Sequence, residues 1–170
     1  AYAAKYLLQV NVRADAYDNS KLATKNLCGY FPSVSLGWVL TKENFMQNID
    51  PKTLSFLKLR ASYGVNGNIN ALSDFAYTNA MALSSSAYSL TNSGLLTAAA
   101  PSTTLANQDL TWEETTQLNF GLDTRFFSDR LVFSVDYYEK NTTGMITSIS
   151  APFISGASTQ NVNKGKILNK

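Results

Sequence analysis

Residues 57–66 read Leu-Lys-Leu-Arg-Ala-Ser-Tyr-Gly-Val-Asn: Leu57, Leu59, Ala61, Tyr63 and Val65 alternate without a break with Lys58, Arg60, Ser62, Gly64 and Asn66. Successive side chains of an extended chain point to opposite faces, so a period of two predicts a strand with one apolar and one polar face. The design recurs in both directions. Upstream, Tyr6, Leu8, Val10, Val12 and Ala14 oppose Gln9, Asn11, Arg13 and Asp15, and Tyr30, Val34, Leu36, Trp38 and Leu40 oppose Ser33, Ser35, Gly37 and Thr41. Downstream, Leu118, Phe120, Leu122 and Phe126 oppose Gln117, Asn119, Gly121, Asp123 and Arg125. After Ser128 and Asp129, which carry turn chemistry, Leu131, Phe133, Val135 and Tyr137 oppose Ser134, Asp136, Tyr138 and Lys140. Strands are therefore expected at 5–15, 30–41, 55–67, 111–127 and 130–141, antiparallel, with sequential neighbours paired.

The connections differ by side. The segments 16–29, 68–110 and 142–168 are long and are expected at one end of the sheet, with the tight turn at Ser128 and Asp129 at the other. A connection as long as 68–110 is foreign to a compact soluble domain, where about 4–6 residues is usual, and reads as a functional loop. Lys42 to Asn48 is expected to hold one short helical turn before Pro51.

Composition narrows the class. The 170 residues are 45% apolar, 12% aromatic and only 15% charged, against roughly 25% charged in ordinary soluble domains. The net charge of +2 is scattered, without a basic block suited to nucleic acid. No apolar run is long enough for a membrane-spanning helix, and the first residues lack the pattern of a signal peptide. Cys28 is the only cysteine, which excludes an internal disulfide and reads as an inert thiol.

The chain has no histidine, so Ser-His-Asp and Cys-His catalysis and histidine zinc motifs are excluded within it. Gly64-Val65-Asn66-Gly67-Asn68 lacks the following Lys-Ser or Lys-Thr and the helix that a phosphate loop requires, and reads as a strand-end bend. Glu113 and Glu114 are adjacent on a strand and point to opposite faces, so they cannot converge as a catalytic pair. Asn141-Thr142-Thr143 matches a glycosylation sequon, a motif too short to carry weight. No enzyme, cofactor or metal centre is expected.

Two all-β architectures share this alternation, a soluble sandwich and a transmembrane barrel. Strand length favours the barrel, since a tilted membrane strand needs about 9–11 residues and soluble strands average about 5–6. Aromatic placement favours it further. With the tight turn on the inner side, Tyr30, Tyr63, Trp112 and Tyr137 fall toward the outer ends and Tyr6, Trp38 and Phe126 toward the inner ends, all on the apolar parity, as interfacial girdles do. Five strands cannot close a barrel, whose smallest forms use about eight, so residues 1–170 are read as part of one, with its remaining strands and any plug elsewhere.

Several segments, in order, resemble the SusC/RagA family of TonB-linked outer-membrane proteins. They are Tyr6-Leu7-Leu8 through Arg13-Ala14-Asp15, the run Gly29-Tyr30-Phe31-Pro32-Ser33-Val34-Ser35-Leu36-Gly37-Trp38, the run from Leu59 to Asn68, Leu110-Thr111-Trp112-Glu113 followed by Gln117, Asn119, Gly121 and Asp123, and Asp136-Tyr137-Tyr138-Glu139-Lys140. Asn169-Lys170 resembles the opening of a further family strand. Ala16 and Gln108 depart from the family pattern, where glycine and proline are usual, and both lie in loops. The resemblance implies a bacterial outer-membrane barrel of about 22 strands, plugged, energised through TonB contacts outside this segment, covered by a SusD-like surface lipoprotein, and importing oligosaccharides or peptides.

On this reading Arg13, Lys58, Arg60, Asp123, Arg125 and Asp136 occupy the lumen-facing parity, as a structural ion network or the lining of a solute path. Tyr77, Tyr88 and Phe153 are candidate contacts in the outer loops. A soluble carbohydrate-binding or adhesive sandwich and a passive porin are the competing readings.

Overall fold

A computed structural model describes residues 2–79, 81–91, 94–101 and 103–170, with side chains described outside 80–102. The chain is all-β. Its strands are β1 (Tyr6–Ala16), β2 (Cys28–Val39), β3 (Leu54–Asn68), β4 (Met81–Thr91), β5 (Gly94–Pro101), β6 (Thr104–Leu105), β7 (Glu113–Phe126), β8 (Leu131–Ser150) and β9 (Thr159–Asn169). One seven-stranded sheet runs in the order β1-β2-β3-β7-β8-β9-β6, and β4-β5 form a separate hairpin. All long neighbours are antiparallel, and only the two-residue β6 joins β9 in parallel.

The five expected strands are present, and several other expectations are corrected. Segment 142–168 is not one loop: β8 continues to Ser150 and β9 returns beside it. The period-two signal fails there for two reasons. Gly144, at φ 66°, sits where the β8/β9 register shifts, and β9 is polar on both faces except at Val162, Ile167 and Leu168. Segment 68–110 likewise contains the β4-β5 hairpin. Gly64 to Asn68 does not bend away but remains in β3, paired to Asn68↔Glu113.

Register gathers the apolar parity on one face. Leu8, Leu36, Ala61, Phe120 and Tyr137 form one cross-strand row, and Val10, Val34, Tyr63 and Leu118 lie in the next. Nothing in the described chain covers this face: Val10 is 63% exposed, and Leu8, Val12, Leu36, Leu59, Phe120, Phe133 and Val135 are exposed with it. Val34, Ala61 and Leu118 are half-buried by their lateral neighbours. A soluble sandwich would pack these residues against a second sheet; a membrane wall turns them to lipid.

The apolar band is oblique to the register. Trp38 shares a row with Leu59, Leu122 and Val135, yet on β8 the band continues inward through Phe133 to Leu131. Four residues at about 3.4 Å, taken over three strand spacings of about 4.8 Å, give a slope near 45°, close to the roughly 35–45° tilt of strands in membrane barrels. At its outer limit the band reaches Ala14 on β1 but stops at Tyr137 on β8, where Glu139 and Asn141 take over the same parity. Tyr137 therefore lies in mid-strand, not near the strand's outer end, and still marks the outer edge of the band. Trp112 departs from its expected girdle position. It precedes β7 and turns onto Phe31 in an edge-on contact of 5.6 Å, with Nε1 donating to the carbonyl of Asn26 at 3.0 Å.

The long connections 17–27, 69–112 and 151–158 gather at the end opposite 40–53 and 127–130, as the alternation of strand direction requires. At the latter end Leu40–Lys42 and Asn44–Met46 form 3-10 turns, matching the expected helical turn. The β7-β8 hairpin closes through Phe127, Ser128 and Asp129, all at positive φ, a geometry Ser and Asp tolerate better than branched residues.

Candidate functional site

On the polar face one group of charged residues is ion-paired across three strands. Arg60 on β3 donates from Nε and one terminal nitrogen to Asp123 on β7, at 2.7 and 3.1 Å. The same terminal nitrogen reaches Asp136 on β8 at 3.0 Å. Ser134 Oγ also donates to Asp123. Arg60 and Asp136 are separated by β7, where each is paired with Gly121. A Cβ at Gly121 would stand 2.5 Å from Asp136 Oδ1 and 2.8 Å from Arg60 Cζ, so the missing side chain opens the passage. Lys58 is the register partner of Asp123 and flanks the group.

Of the six residues expected on this face, Arg60, Asp123 and Asp136 are brought together with Lys58 beside them. Arg13 is not. It lies toward the outer end, paired with Asp15 at 2.7 Å and placed 5.5 Å from the centroid of the Phe31 ring. Arg125 lies toward the inner end over Phe56, at 5.2 Å. The next row on the outer side of this group, Gln9, Ser35, Ser62, Asn119 and Tyr138, is neutral and polar.

Above the sheet the outer loops build their own core. Leu22 and Leu110 are fully buried together with Ile69 and Leu72, and Leu27, Ala76, Trp112 and Ile146 pack around them. Lys25–Asp109 at 2.5 Å and Asn26 Nδ2 to the Leu110 carbonyl at 2.8 Å close the contact. Sequence reading missed this core, because four apolar residues spread over two polar connections leave no period. It also left the role of Glu113 unread. That carboxylate is buried, accepting from Asn68 Nδ2 and from the backbone N–H of Ile146, both at 3.0 Å, and so it holds β8 where its register shifts beyond Gly144.

Of the expected loop contacts, Tyr77 is tied down, its hydroxyl donating to the Asn19 carbonyl at 2.7 Å. Phe153 is fully exposed at the tip between β8 and β9. The side chain of Tyr88 lies outside the described residues. At the inner end, Glu43 accepts from Tyr6 Oη at 2.7 Å, Trp38 Nε1 at 3.1 Å and Lys5 Nζ at 3.3 Å. The Tyr6 hydroxyl first, then Trp38 and Lys5, hold its carboxyl below the ordinary glutamate range. Among the described residues no cluster of His, Cys, Asp and Glu is placed to hold a metal ion.

A family model described as TonB dependent receptor-like, beta-barrel, matches residues 1–169. The chain is 35% identical over 169 residues to TonB-dependent receptor P39 of Formosa agariphila, a match covering 99% of this chain and 15% of that protein. It is 32% identical over 148 residues to TonB-dependent receptor SusC of Bacteroides thetaiotaomicron, covering 87% of this chain and 14% of SusC. Among solved structures it resembles a chain of the RagAB peptide importer in the open-open state, with a TM-score of 0.80 and 28% identity over 96% of this chain and 17% of that one. The closed-closed state of that importer matches with a TM-score of 0.75 and 29% identity. The chain thus spans a small part of the length of the proteins it matches.

Proposed function

The chain belongs to the TonB-dependent receptor β-barrel family and is a segment of a bacterial outer-membrane barrel, and we propose that its parent imports large polar nutrients with energy delivered through TonB. The observation that carries this is the division of the sheet into two faces. One is an uncovered apolar band, bounded by Tyr30 and Tyr137 outside and by Tyr6, Trp38 and Phe126 inside; the other is polar, with Arg60, Asp123 and Asp136 ion-paired. Such a wall separates lipid from a hydrated interior. The remaining strands and a plug belong to the rest of the parent. Within the wall Lys58, Arg60, Asp123 and Asp136 stiffen three strands facing that interior, while Arg13 and Arg125 extend its charge toward the two ends.

The cargo in this reading is an oligosaccharide or a peptide, and a SusD-like surface lipoprotein sits over the outer loops. The similarity to SusC and to the RagAB peptide importer supports both. One pair of experiments in the intact parent tests the proposal. Removing residues 81–101 deletes the β4-β5 hairpin while leaving Leu72 and Leu110 of the loop core in place, and lipoprotein co-purification and solute-dependent growth are then compared with the unmodified strain. Abolishing TonB function should stop growth on the imported solute. Growth that continues without TonB overturns active import and leaves a passive porin.

A further inference from the structure

We infer that the apolar face holds one phospholipid of the inner leaflet at a built site, its acyl chain in a groove over Ala61 and its phosphate at Lys5. The inference rests on the outer-membrane barrel and not on what the parent imports. Register shapes the groove. Two neighbouring rows cross β1, β2, β3, β7 and β8, one through Leu8, Ala61 and Tyr137, the other through Tyr6, Leu59 and Val135. Every side chain of both rows lines a groove of about 1060 Å³ between them. Backbone makes its floor, because Gly37 and Gly121 carry no side chain and that of Arg60 turns to Asp123 on the polar face. Five strands about 4.8 Å apart make the groove about 19 Å long, enough for a chain that spans roughly half of a 30 Å hydrocarbon core. Ala61, the smallest side chain of either row, stands at the middle between Leu36 and Phe120 and leaves the passage open.

The end of the groove at β1 is polar and fixed. The rings of Tyr6 and Trp38 stack there with centroids 6.4 Å apart and planes 18° from parallel. Girdle aromatics sit at headgroup level, yet the Tyr6 hydroxyl and the Trp38 indole N–H both donate to Glu43, so a protein carboxylate holds them in place of a lipid. Lys5 is the cation at this end. Its Nζ, partly exposed, uses one donor on Glu43 at 3.3 Å, which leaves two of its three donors among the described residues. An ammonium so placed suits a phosphate oxygen through a charge-assisted hydrogen bond.

Position selects the occupant. The five strands are hydrogen-bonded side by side, so further wall strands join at the edges of the sheet and do not lie over the groove. The face that carries it is turned to lipid. Its polar end lies at the inner girdle, the level of inner-leaflet headgroups, whereas an outer-leaflet glycolipid carries its phosphates at the opposite interface. Walls fixed by sheet register and a mouth fixed by Glu43 lose little freedom when a chain enters, which is the condition for holding one lipid more tightly than the bulk around it.

The test uses the full parent, extracted from its membrane in mild detergent and washed. Native mass spectrometry counts the retained lipid, and heat-dependent mobility scores the folded barrel. Ala61→Phe fills the groove, Lys5→Gln removes the cation, and Ala14→Phe adds the same bulk to the lipid face outside the groove. The unmodified parent and A14F are expected to keep one phospholipid per barrel, while A61F and K5Q keep about a tenth as much after the same wash. In vesicles, a phosphatidylethanolamine with a photoreactive group in its acyl chain should label residues of the two rows in the unmodified parent, a readout independent of how the variants fold. An unmodified parent without bound lipid, equal retention by folded A61F or K5Q, labelling spread evenly over the apolar band, or a retained outer-leaflet glycolipid in place of the phospholipid overturns the site. A parent that keeps the phospholipid and imports nothing leaves the site standing and overturns only the import reading.

Discussion

Arg60 reaches Asp136 across the full width of the strand between them, its terminal nitrogen 3.0 Å from Oδ1, because residue 121 beneath the contact is glycine. The same guanidinium holds Asp123, so one side chain ties β3, β7 and β8 on the polar face.

Gly121→Leu should therefore break the Arg60–Asp136 contact while leaving both charges in place. The expected loss is about 1–3 kcal/mol from overpacking together with the lost ion pair, measured by denaturant unfolding of the refolded parent in detergent. In an Arg60→Met background part of that cost should vanish, since the leucine then displaces Asp136 but breaks no ion pair. Strictly additive effects of the two substitutions would show that glycine is not there for the arginine.

Val10→Arg places a charge within the apolar band, opposite Val34. About 2–4 kcal/mol of folding stability should be lost, as for basic residues near the bilayer midplane. The register-matched polar-face change Asn11→Arg should cost far less in the same vesicle refolding measurement. Equal costs would contradict the assignment of the two faces.

Glu43 gives a pH prediction at the inner end. Its carboxyl is held below the ordinary range chiefly by the Tyr6 hydroxyl, so the stabilisation is complete above the unfolded glutamate value and is lost as pH falls below about 4.3. Acidification from neutral pH to below the lowered folded-state value of Glu43 should release Trp38 and change its emission, followed in a Trp112→Phe background. Glu43→Gln should not give that acid response; an identical transition in the variant would place the titrating group elsewhere.

Leu110→Ala should loosen the outer loops. Leu110 is 0% exposed within the cluster of Leu22, Ile69 and Leu72, and a buried Leu→Ala change costs about 2–5 kcal/mol according to how far the cavity collapses. Faster amide exchange at residues 17–27 and 69–79, with the central rows of the sheet unaffected, is the expected pattern. Uniform protection across both regions would deny the loops a core of their own.

Alternation by itself determined that residues 57–66 and their counterparts are strands, which side chains share a face, and that the tight turn lies at Ser128 and Asp129. Parity is a local property of extended backbone and needs no partner to be read. The ordered motifs from Gly29 to Trp38 and from Leu110 to Asp123 likewise carried the family. Other features had to wait for the pairing of the strands. β9 is polar on both faces and becomes a strand only because β8 offers it a ladder. The burial of Leu22 against Leu110, the selection of Arg60 with Asp123 and Asp136 from six charged candidates, and the place of Tyr137 at the edge of the band despite its mid-strand position all depend on register. Register is set between strands by hydrogen bonds and packing across the sheet, so it belongs to no single stretch of the chain and could be decided only by the tertiary structure.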